Sequence, residues 1–242
     1  PEQLKAQVRD AKALIVRNRT EVTRDVLESA VELRAIGRLG VGLDNIDVVE
    51  CERRSIAVLP AFGVNARSVA EYVLAAALML LRGSAYFGSA QLASGEWPRI
   101  EMGQGREAQS RIMGVIGFGV IGRVTADLAR AAGFETICHD AQIEPGTTVS
   151  GVNAVDLETL LATSDVVTLH CPLTDTTRNL IGKGELAAMK TGSILINTAR
   201  GGVVDEVALA HALRTGQLAG AAVDVFTTEP ITESVGALFA GL

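Results

Sequence analysis

The sequence predicts an α/β protein with a doubly wound parallel sheet and a second, smaller α/β domain. Short runs rich in valine and isoleucine alternate with longer helical patterns throughout the 242 residues, as is typical of right-handed βαβ units. Runs such as Ile112–Ile116 are apolar without interruption, which is typical of strands buried on both faces of a sheet. A glycine-rich turn directly follows that run and opens a helical pattern.

The spacing of apolar residues places the individual elements. Strands are predicted over Ala13–Val16, Ala35–Arg38, Ile56–Leu59, Ile112–Ile116, Glu135–His139, Val166–His170, Ser193–Asn197 and Gly220–Asp224. Helices are predicted over Ser68–Leu81, Ile121–Ala132, Leu157–Ala162, Lys183–Met189 and Glu206–Thr215. The apolar run from Tyr72 to Leu81 is too short to span a bilayer. It predicts a helix buried on nearly all sides, at a domain or subunit interface.

A break in this pattern predicts a domain boundary. Pro60, Gly63 and Asn65 interrupt the alternation of strands and helices, and proline and glycine commonly mark loops. We therefore predict a small α/β unit over residues 1–60 and a nucleotide-binding domain over residues 63–242.

Charge and cysteine content narrow the function class. The formal net charge of -6 argues against a nucleic-acid surface. Cys51, Cys138 and Cys171 are widely spaced, so they indicate neither a disulfide framework nor a metal site. A reducing, cytoplasmic setting is the simplest interpretation.

A glycine motif between strand and helix predicts a Rossmann dinucleotide site. Residues 117–122 read Gly-Phe-Gly-Val-Ile-Gly, the spacing of the dinucleotide-binding turn in its proper context. The first glycine permits the tight turn, the second lets a pyrophosphate approach, and the third permits close helix–strand packing. Free N–H groups at the start of the helix favour phosphate binding. The expected contact residues are Gly117, Gly119, Val120, Ile121 and Gly122.

An aspartate after the next strand favours NAD. Asp140 lies 18 residues after Gly122, where a carboxylate accepts hydrogen bonds from the adenosine ribose. Ala141 and Gln142 supply no arginine for a 2′-phosphate, so NAD is favoured over NADP. The alternative interpretation is a glycine turn and a strand-end aspartate that bind no ligand.

Four ordered segments carry a resemblance to a known family. Residues 197–205 read Asn-Thr-Ala-Arg-Gly-Gly-Val-Val-Asp, and residues 224–230 read Asp-Val-Phe-Thr-Thr-Glu-Pro. With Gly-Arg-Leu-Gly-Val-Gly-Leu-Asp-Asn at 37–45 and Ser-Val-Ala-Glu at 68–71, they resemble the signature blocks of the D-isomer-specific 2-hydroxyacid dehydrogenases. The resemblance covers essentially the whole chain. Val-Arg-Asn-Arg-Thr at 16–20 and Gly-Arg-Leu-Gly at 37–40 are most similar to the phosphoglycerate and sulfolactate dehydrogenase branch.

The resemblance implies an NAD-dependent oxidoreductase acting on the CH–OH group of a small 2-hydroxy acid. It also implies that residues 1–60 belong to a split substrate-binding domain, and that the catalytic residues are an arginine, a glutamate and a histidine. Arg200 matches the arginine, whose planar guanidinium would bind the substrate carboxylate bidentately and polarise the 2-oxo group. Glu229 matches the glutamate, which would hold the imidazole and favour its protonated form.

The histidine of the family has no match in this chain. In the family, the catalytic histidine follows the Glu-Pro block after a loop and another strand. In this chain, His139 and His170 end predicted strands and His211 lies in a predicted helix. We expect these three to be structural or solvent-facing. We expect the catalytic histidine to lie beyond Leu242, in a chain that also lacks the family's N-terminal strand.

Further contacts follow from the resemblance. Thr198, Ala199 and Asp224 are expected near the nicotinamide, and Cys171, Pro172 and Thr177 complete the expected cofactor contacts. On the substrate side, Gly40, Val41 and Gly42 resemble a loop whose backbone N–H groups bind the carboxylate, while Arg17 and Arg38 match a distal phosphate or sulfonate. A tight turn without ligand and a solvated arginine pair remain the alternatives.

The apolar helix over Ser68–Leu81 bears on the expected partners of the protein. The helix over Ser68–Leu81 often forms the subunit interface in the resembling family, so a homodimer is expected, without nucleic-acid or membrane partners. The alternative function is an NAD-sensing, catalytically weak interaction protein on the same fold, as in the related corepressors. Arg200 and Glu229 count against it. A relative of the adenosylhomocysteine hydrolases would need a larger substrate domain than this chain offers.

Overall fold

The computed structural model describes residues 2–17, 19–83 and 88–242, so Asn18 of the 16–20 segment lies outside the described residues. The chain forms two compact units, residues 1–65 and residues 66–242.

The first unit is a parallel sheet with short helices. Its elements are α1 (Glu2–Val8), β1 (Ala13–Val16), α2 (Arg24–Ser29), β2 (Ala35–Arg38), α3 (Val48–Arg53) and β3 (Ala57–Pro60). The strands pair in the order β1-β2-β3 around a core that includes Val16, Leu27 and Ile36. The apolar period does not predict α2 or α3, because six residues make fewer than two helical turns.

The second unit contains a seven-stranded sheet. Its described elements are α4 (Ala66–Arg82), α5 (Ser89–Ala93), α6 (Arg99–Met102), β4 (Ile112–Ile116), α7 (Val120–Ala131), β5 (Glu135–His139), β6 (Thr148–Val149), β7 (Val152–Ala154), α8 (Leu157–Thr163), β8 (Val166–Leu169), α9 (Lys183–Ala188), β9 (Ser193–Asn197), α10 (Glu206–Arg214), β10 (Leu218–Val223) and α11 (Glu233–Leu238). Ile194 and Ile196 pack into one hydrophobic cluster and Leu195 into another, so the sheet is covered on both faces.

The strand order confirms the predicted doubly wound fold. The sheet runs β10-β9-β8-β4-β5-β7-β6, so the chain moves outward from β4 and then returns to place β8 beside β4. Ile116 pairs with Leu169, Leu169 with Asn197, and Asn197 with Val223, so four strands end at one edge of the sheet. Open α/β sheets bind their ligands at this edge, where the strand order reverses.

A hairpin departs from the predicted strict alternation of strands and helices. β6 and β7 pair antiparallel at the end of the sheet, joined by Ser150 and Gly151 with φ of 52° and 73°. Positive φ at both central residues is typical of tight hairpin turns. Strands of two and three residues are too short to show an alternating pattern, which explains why this hairpin was not predicted.

The long helix α4 buries one stripe rather than nearly all of its surface. Val73, Ala77 and Leu81 are buried, whereas Tyr72 is 45% exposed and Met79 is 40% exposed. Within the single chain only residues three or four apart face the core, and the predicted burial of the remaining surface at an interface stays a prediction. No helix within the described ranges is long and apolar enough to cross a membrane.

Candidate active site

The glycine turn joins the carboxyl end of β4 to α7. Gly117 has φ of 88°, and a Cβ there would lie 2.7 Å from the backbone nitrogen of Cys171. Only glycine therefore allows the turn to approach the end of β8 this closely. A Cβ at Gly122 would overlap the carbonyl oxygen of Gly117, so the third glycine lets α7 pack against the turn.

The second glycine leaves an open space at the start of α7. A Cβ at Gly119 would meet no described atom within 4 Å, and no side chain of the described residues caps the helix there. Val120, the first residue of the helix, is 58% exposed. Backbone N–H groups at an uncapped helix N-terminus beside an open backbone suit a pyrophosphate.

Asp140 anchors the same turn. Its Oδ2 accepts the Phe118 N–H at 2.7 Å, and its Oδ1 accepts the Gln142 N–H at 2.9 Å. Each carboxylate oxygen accepts up to two hydrogen bonds, so the group keeps acceptor capacity for ribose hydroxyls. The aspartate thus holds the glycine turn before any ligand binds.

The segment after β8 contains three of the predicted cofactor contacts. Cys171 lies against the glycine turn, and burial raises the pKa of its thiol. Pro172 is exposed. Thr177 closes this loop on itself, because its hydroxyl donates to the Pro172 carbonyl at 2.6 Å and accepts the Thr174 N–H at 2.7 Å.

The three histidines occupy separate positions. His170 follows β8 with its Nε2 3.1 Å from the Thr168 hydroxyl, and burial lowers its pKa to about 4. It is therefore neutral near pH 7 and poorly suited to donate a proton. His139 has its Nδ1 3.1 Å from the Val155 carbonyl, and His211 is exposed on α10.

Asn197 shapes the loop that carries Arg200. Its side chain is 2% exposed, accepts the Ala199 N–H at 3.1 Å, and donates to the Arg200 carbonyl at 3.1 Å. The Arg200 guanidinium is partly buried and donates to the Ala199 carbonyl at 2.7 Å. Asn197 was not among the predicted site residues, although an asparagine beginning a turn is a known signal.

Thr198 supports a bound ligand at this edge. Its hydroxyl oxygen is buried and has no hydrogen-bond partner within the described residues. An unsatisfied buried hydroxyl is costly, so a polar ligand group that met it would recover that free energy. The residues present at the predicted nicotinamide end therefore fit a dinucleotide.

The loops that carry Arg200 and Glu229 touch through their backbones. A Cβ at Gly201 would overlap the Phe226 carbonyl oxygen, so the two chains pack without a side chain between them. Glu229 is exposed, and its Oε1 accepts the Phe226 N–H at 3.0 Å. The predicted contact Asp224 is also exposed and donates its N–H to the Asn197 carbonyl at 3.0 Å.

Glu206 adds a second tie to the loop after β10. Its Oε1 accepts the Thr227 N–H at 2.6 Å, from the first turn of α10. Neither Glu206 nor Gly201 was predicted as a site residue, because both act on a segment more than 20 positions away.

In the first unit, Asn45 organises the predicted substrate loop. Its Oδ1 accepts from Arg38 Nε at 3.3 Å, and its Nδ2 donates to the carbonyls of Arg17 and Thr20. Arg38 is buried, and its Nη1 also donates to the Leu39 carbonyl at 2.8 Å. Gly40 has φ of 155°, a backbone conformation that favours glycine, and a Cβ there would also displace the Arg38 guanidinium.

The predicted substrate residues of this unit differ in exposure. Val41 and Gly42 are partly buried beside Gly40, and Arg17 is exposed. Arg17 therefore presents its charge to solvent, whereas Arg38 is held within the loop.

The fold and the second unit's site define a dinucleotide-binding α/β protein. A family model described as "D-isomer specific 2-hydroxyacid dehydrogenase, NAD binding domain" matches residues 74–238. The (S)-sulfolactate dehydrogenase of Chromohalobacter salexigens is 51% identical over 223 residues, which cover 91% of this chain and 72% of that protein. The D-3-phosphoglycerate dehydrogenase of Methanocaldococcus jannaschii is 42% identical over 231 residues, 95% of this chain and 44% of that protein.

A solved structure agrees with these matches. The D-lactate dehydrogenase of Aquifex aeolicus, complexed with NAD and lactic acid, superimposes with a TM-score of 0.84 at 28% identity. The superposition covers 97% of this chain and 73% of that one. The chain belongs to the D-isomer-specific 2-hydroxyacid dehydrogenase family, a class of NAD-dependent oxidoreductases, and NAD is its cofactor.

Proposed function

We propose that the protein catalyses the reversible NAD-dependent oxidation of a small 2-hydroxy acid that carries a second anionic group, such as sulfolactate or 3-phosphoglycerate. The observation that carries the proposal is the backbone contact between the loop of Arg200 and the loop of Glu229, which follow the carboxyl ends of the paired strands β9 and β10. The names of the two similar dehydrogenases support the substrate class.

Arg200 binds the substrate carboxylate in this proposal. One guanidinium nitrogen donates to the Ala199 carbonyl, which restricts the plane of the group. A planar guanidinium suits a bidentate carboxylate, and its charge would polarise the 2-oxo group. Arg200 would therefore both orient the substrate and stabilise negative charge that develops on its oxygen.

The cofactor residues lie around the same edge of the sheet. NAD, when bound, supplies the hydride acceptor or donor of the reaction. The residues proposed to hold it are Gly117, Gly119, Val120, Ile121, Gly122, Asp140, Cys171, Pro172, Thr177, Thr198, Ala199 and Asp224.

Glu229 is proposed to hold a protonated imidazole. Its Oε1 accepts the Phe226 N–H, which fixes the carboxylate and leaves Oε2 for a second partner. A nearby carboxylate favours the protonated form of histidine. His139, His170 and His211 are not proposed for this role, because the first two are engaged with neighbouring oxygens and the third is exposed on a helix.

The first unit is proposed to recognise the anionic ends of the substrate. The Gly40 N–H donates to the Arg38 carbonyl at 2.8 Å and shapes this loop, so the backbone N–H groups of Val41 and Gly42 would assist in binding the carboxylate. The exposed Arg17 would bind the distal phosphate or sulfonate, and the buried Arg38 would add positive charge from behind the loop.

A substrate panel, assayed with the full-length protein, tests the proposal. We expect NAD-dependent turnover of sulfolactate or 3-phosphoglycerate, with kcat/KM about tenfold or more above that of lactate and glycerate, because a charged pair at the distal group contributes one to several kcal/mol. Arg17→Gln should reduce that preference mainly through KM, whereas Arg19→Gln, at a nearby residue that is also exposed, should not. Absence of turnover with every acid, in both enantiomers, would contradict the proposal.

We also propose a homodimer that covers the exposed face of α4. A groove of about 360 Å³ lies beside this helix, lined by Tyr72, Ala75, Ala76, Met79, Leu80, Ala221 and Ala222. An apolar groove of this kind is typical of a protein interface.

We expect Met79→Glu to shift the sedimentation coefficient from that of a dimer to that of a monomer. Val207→Glu, on the exposed side of α10, should leave the sedimentation coefficient unchanged. A monomeric parent protein would refute the dimer.

A cytoplasmic location completes the proposal. The unpaired Cys51, Cys138 and Cys171 support it, because free thiols persist in reducing compartments. Recovery of the protein only outside the cytoplasmic fraction of its cells would contradict it.

A further inference from the structure

Phe118, the residue between the first two glycines of the turn, is held at three points. Its N–H donates to Asp140 Oδ2 at 2.7 Å, and its carbonyl accepts from Arg123 Nε at 3.0 Å. The Arg123 guanidinium also lies over the Phe118 ring, 5.3 Å from the ring centroid. Phe118 itself is 2% exposed.

Arg123 connects the glycine turn to the β6–β7 hairpin at the end of the sheet. It lies on the first turn of α7, and its Nη1 donates to the Ser150 hydroxyl at 3.0 Å. Ser150 begins the two-residue turn between β6 and β7. One exposed side chain therefore contacts both the glycine turn and the hairpin.

The Phe118 carbonyl and the Gly119 N–H belong to the same planar peptide unit. In a trans peptide these two groups point in opposite directions and cannot rotate independently. A guanidinium bound to the carbonyl therefore fixes the direction of the Gly119 N–H, beside the open space described above. The charge on the guanidinium also polarises that peptide and strengthens its N–H as a donor.

We propose that Arg123 is a positioning residue for NAD, which orients the Phe118–Gly119 peptide toward the cofactor pyrophosphate before binding. Asp140 fixes one side of Phe118 and Arg123 fixes the other, so the turn has little freedom left to lose. Preorganisation of this kind raises affinity without any new contact to the ligand. The proposal concerns cofactor affinity alone and does not depend on the identity of the hydroxy acid.

Matched variants on one helix separate this role from general effects. Arg130 is also on α7 and also contacts the hairpin, through the Gly151 carbonyl at 3.2 Å, but its other partner is Asp127. Arg123→Gln and Arg130→Gln therefore remove the same charge and one hairpin contact each. Gly119→Ala serves as a variant that we expect not to bind NADH, because its Cβ would occupy the open space at the start of α7 where the pyrophosphate is proposed to bind.

The measurement is NADH binding by fluorescence titration, alongside the thermal midpoint, kcat, and the KM values for NAD and for the hydroxy acid. We expect Arg123→Gln to weaken NADH binding about tenfold, the effect of one charge-assisted hydrogen bond. Arg130→Gln should stay within about twofold of the parent. The KM for NAD should rise with the dissociation constant, while kcat at saturating NAD and the KM for the hydroxy acid stay nearly constant.

Arg123→Lys distinguishes orientation from charge. Lysine keeps the positive charge and an aliphatic stem over the ring, but it lacks the planar fork that bonds both Phe118 and Ser150. We expect it to recover stability but less than half of the lost binding free energy. The proposal would be overturned if Arg123→Gln bound NADH as tightly as Arg130→Gln does. It would also be overturned if Arg123→Lys bound NADH as tightly as the parent protein does. If Arg123→Gln fails to fold, the lysine variant decides alone: weaker NADH binding than in the parent supports the proposal, and equal binding overturns it.

Discussion

Arg200→Ala is expected to lower kcat/KM for the hydroxy acid by about 10³-fold or more, the scale seen when a preorganised donor to a developing oxyanion is removed. The loss follows from the proposed dual role of the guanidinium, which binds the carboxylate and polarises the reacting oxygen. Arg200→Lys should recover little, because an ammonium group cannot bind a carboxylate bidentately. Steady-state kinetics with saturating NAD measure both variants.

The control for this experiment is an arginine away from the proposed substrate contacts. Arg130→Ala removes a guanidinium that pairs with Asp127 on α7, so its kcat/KM should remain near that of the parent. NADH binding should also be nearly unchanged in Arg200→Ala, because the glycine turn is intact. A variant at position 200 that turns over at the parent's rate would refute the assignment.

Gly201→Ala is expected to have the second-largest effect. Its Cβ would overlap the Phe226 carbonyl oxygen, so the Arg200 loop and the loop after β10 must separate. Overpacking of this kind lowers the free energy of unfolding by about 1–3 kcal/mol. A shift of about 1 Å between catalytic groups costs roughly 10²-fold in rate, so kcat/KM should fall by at least that factor.

Gly236→Ala provides the comparison. Gly236 lies in α11, where a Cβ would meet no described atom within 4 Å. It should retain activity and gain slightly in helix stability. Thermal unfolding and steady-state kinetics on both variants check the prediction, and equal kcat/KM for the two would show that the loop contact is irrelevant to turnover.

The sequence predicts the elements that a local pattern encodes. The strand over Ile112–Ile116 and the glycine turn after it were predicted because apolar runs and glycine spacing are local signals. β10 is displaced from its predicted bounds, and the Thr148–Ala154 hairpin was not predicted. In these segments, pairing within the sheet determines the structure more than the apolar period does.

The site was predicted less completely than the fold, for a related reason. Asn197, Gly201 and Arg123 were absent from the predicted contacts, because their roles arise from folding. Gly201 acts on a carbonyl 25 positions along the chain, and Arg123 acts on a neighbouring turn and a hairpin 27 positions away. For Arg38, a predicted substrate residue, the structure adds hydrogen bonds to Asn45 and to the Leu39 carbonyl that no local pattern in the sequence indicates.

The most direct measurement is a diffraction structure of the protein with NADH and oxamate, an unreactive analogue of a 2-oxo acid. We predict the pyrophosphate within hydrogen-bonding distance of the Gly119 N–H, and the oxamate carboxylate bound bidentately by Arg200 beside the nicotinamide. An Arg200 side chain directed away from the nicotinamide, or a pyrophosphate bound elsewhere than at the glycine turn, would contradict this prediction.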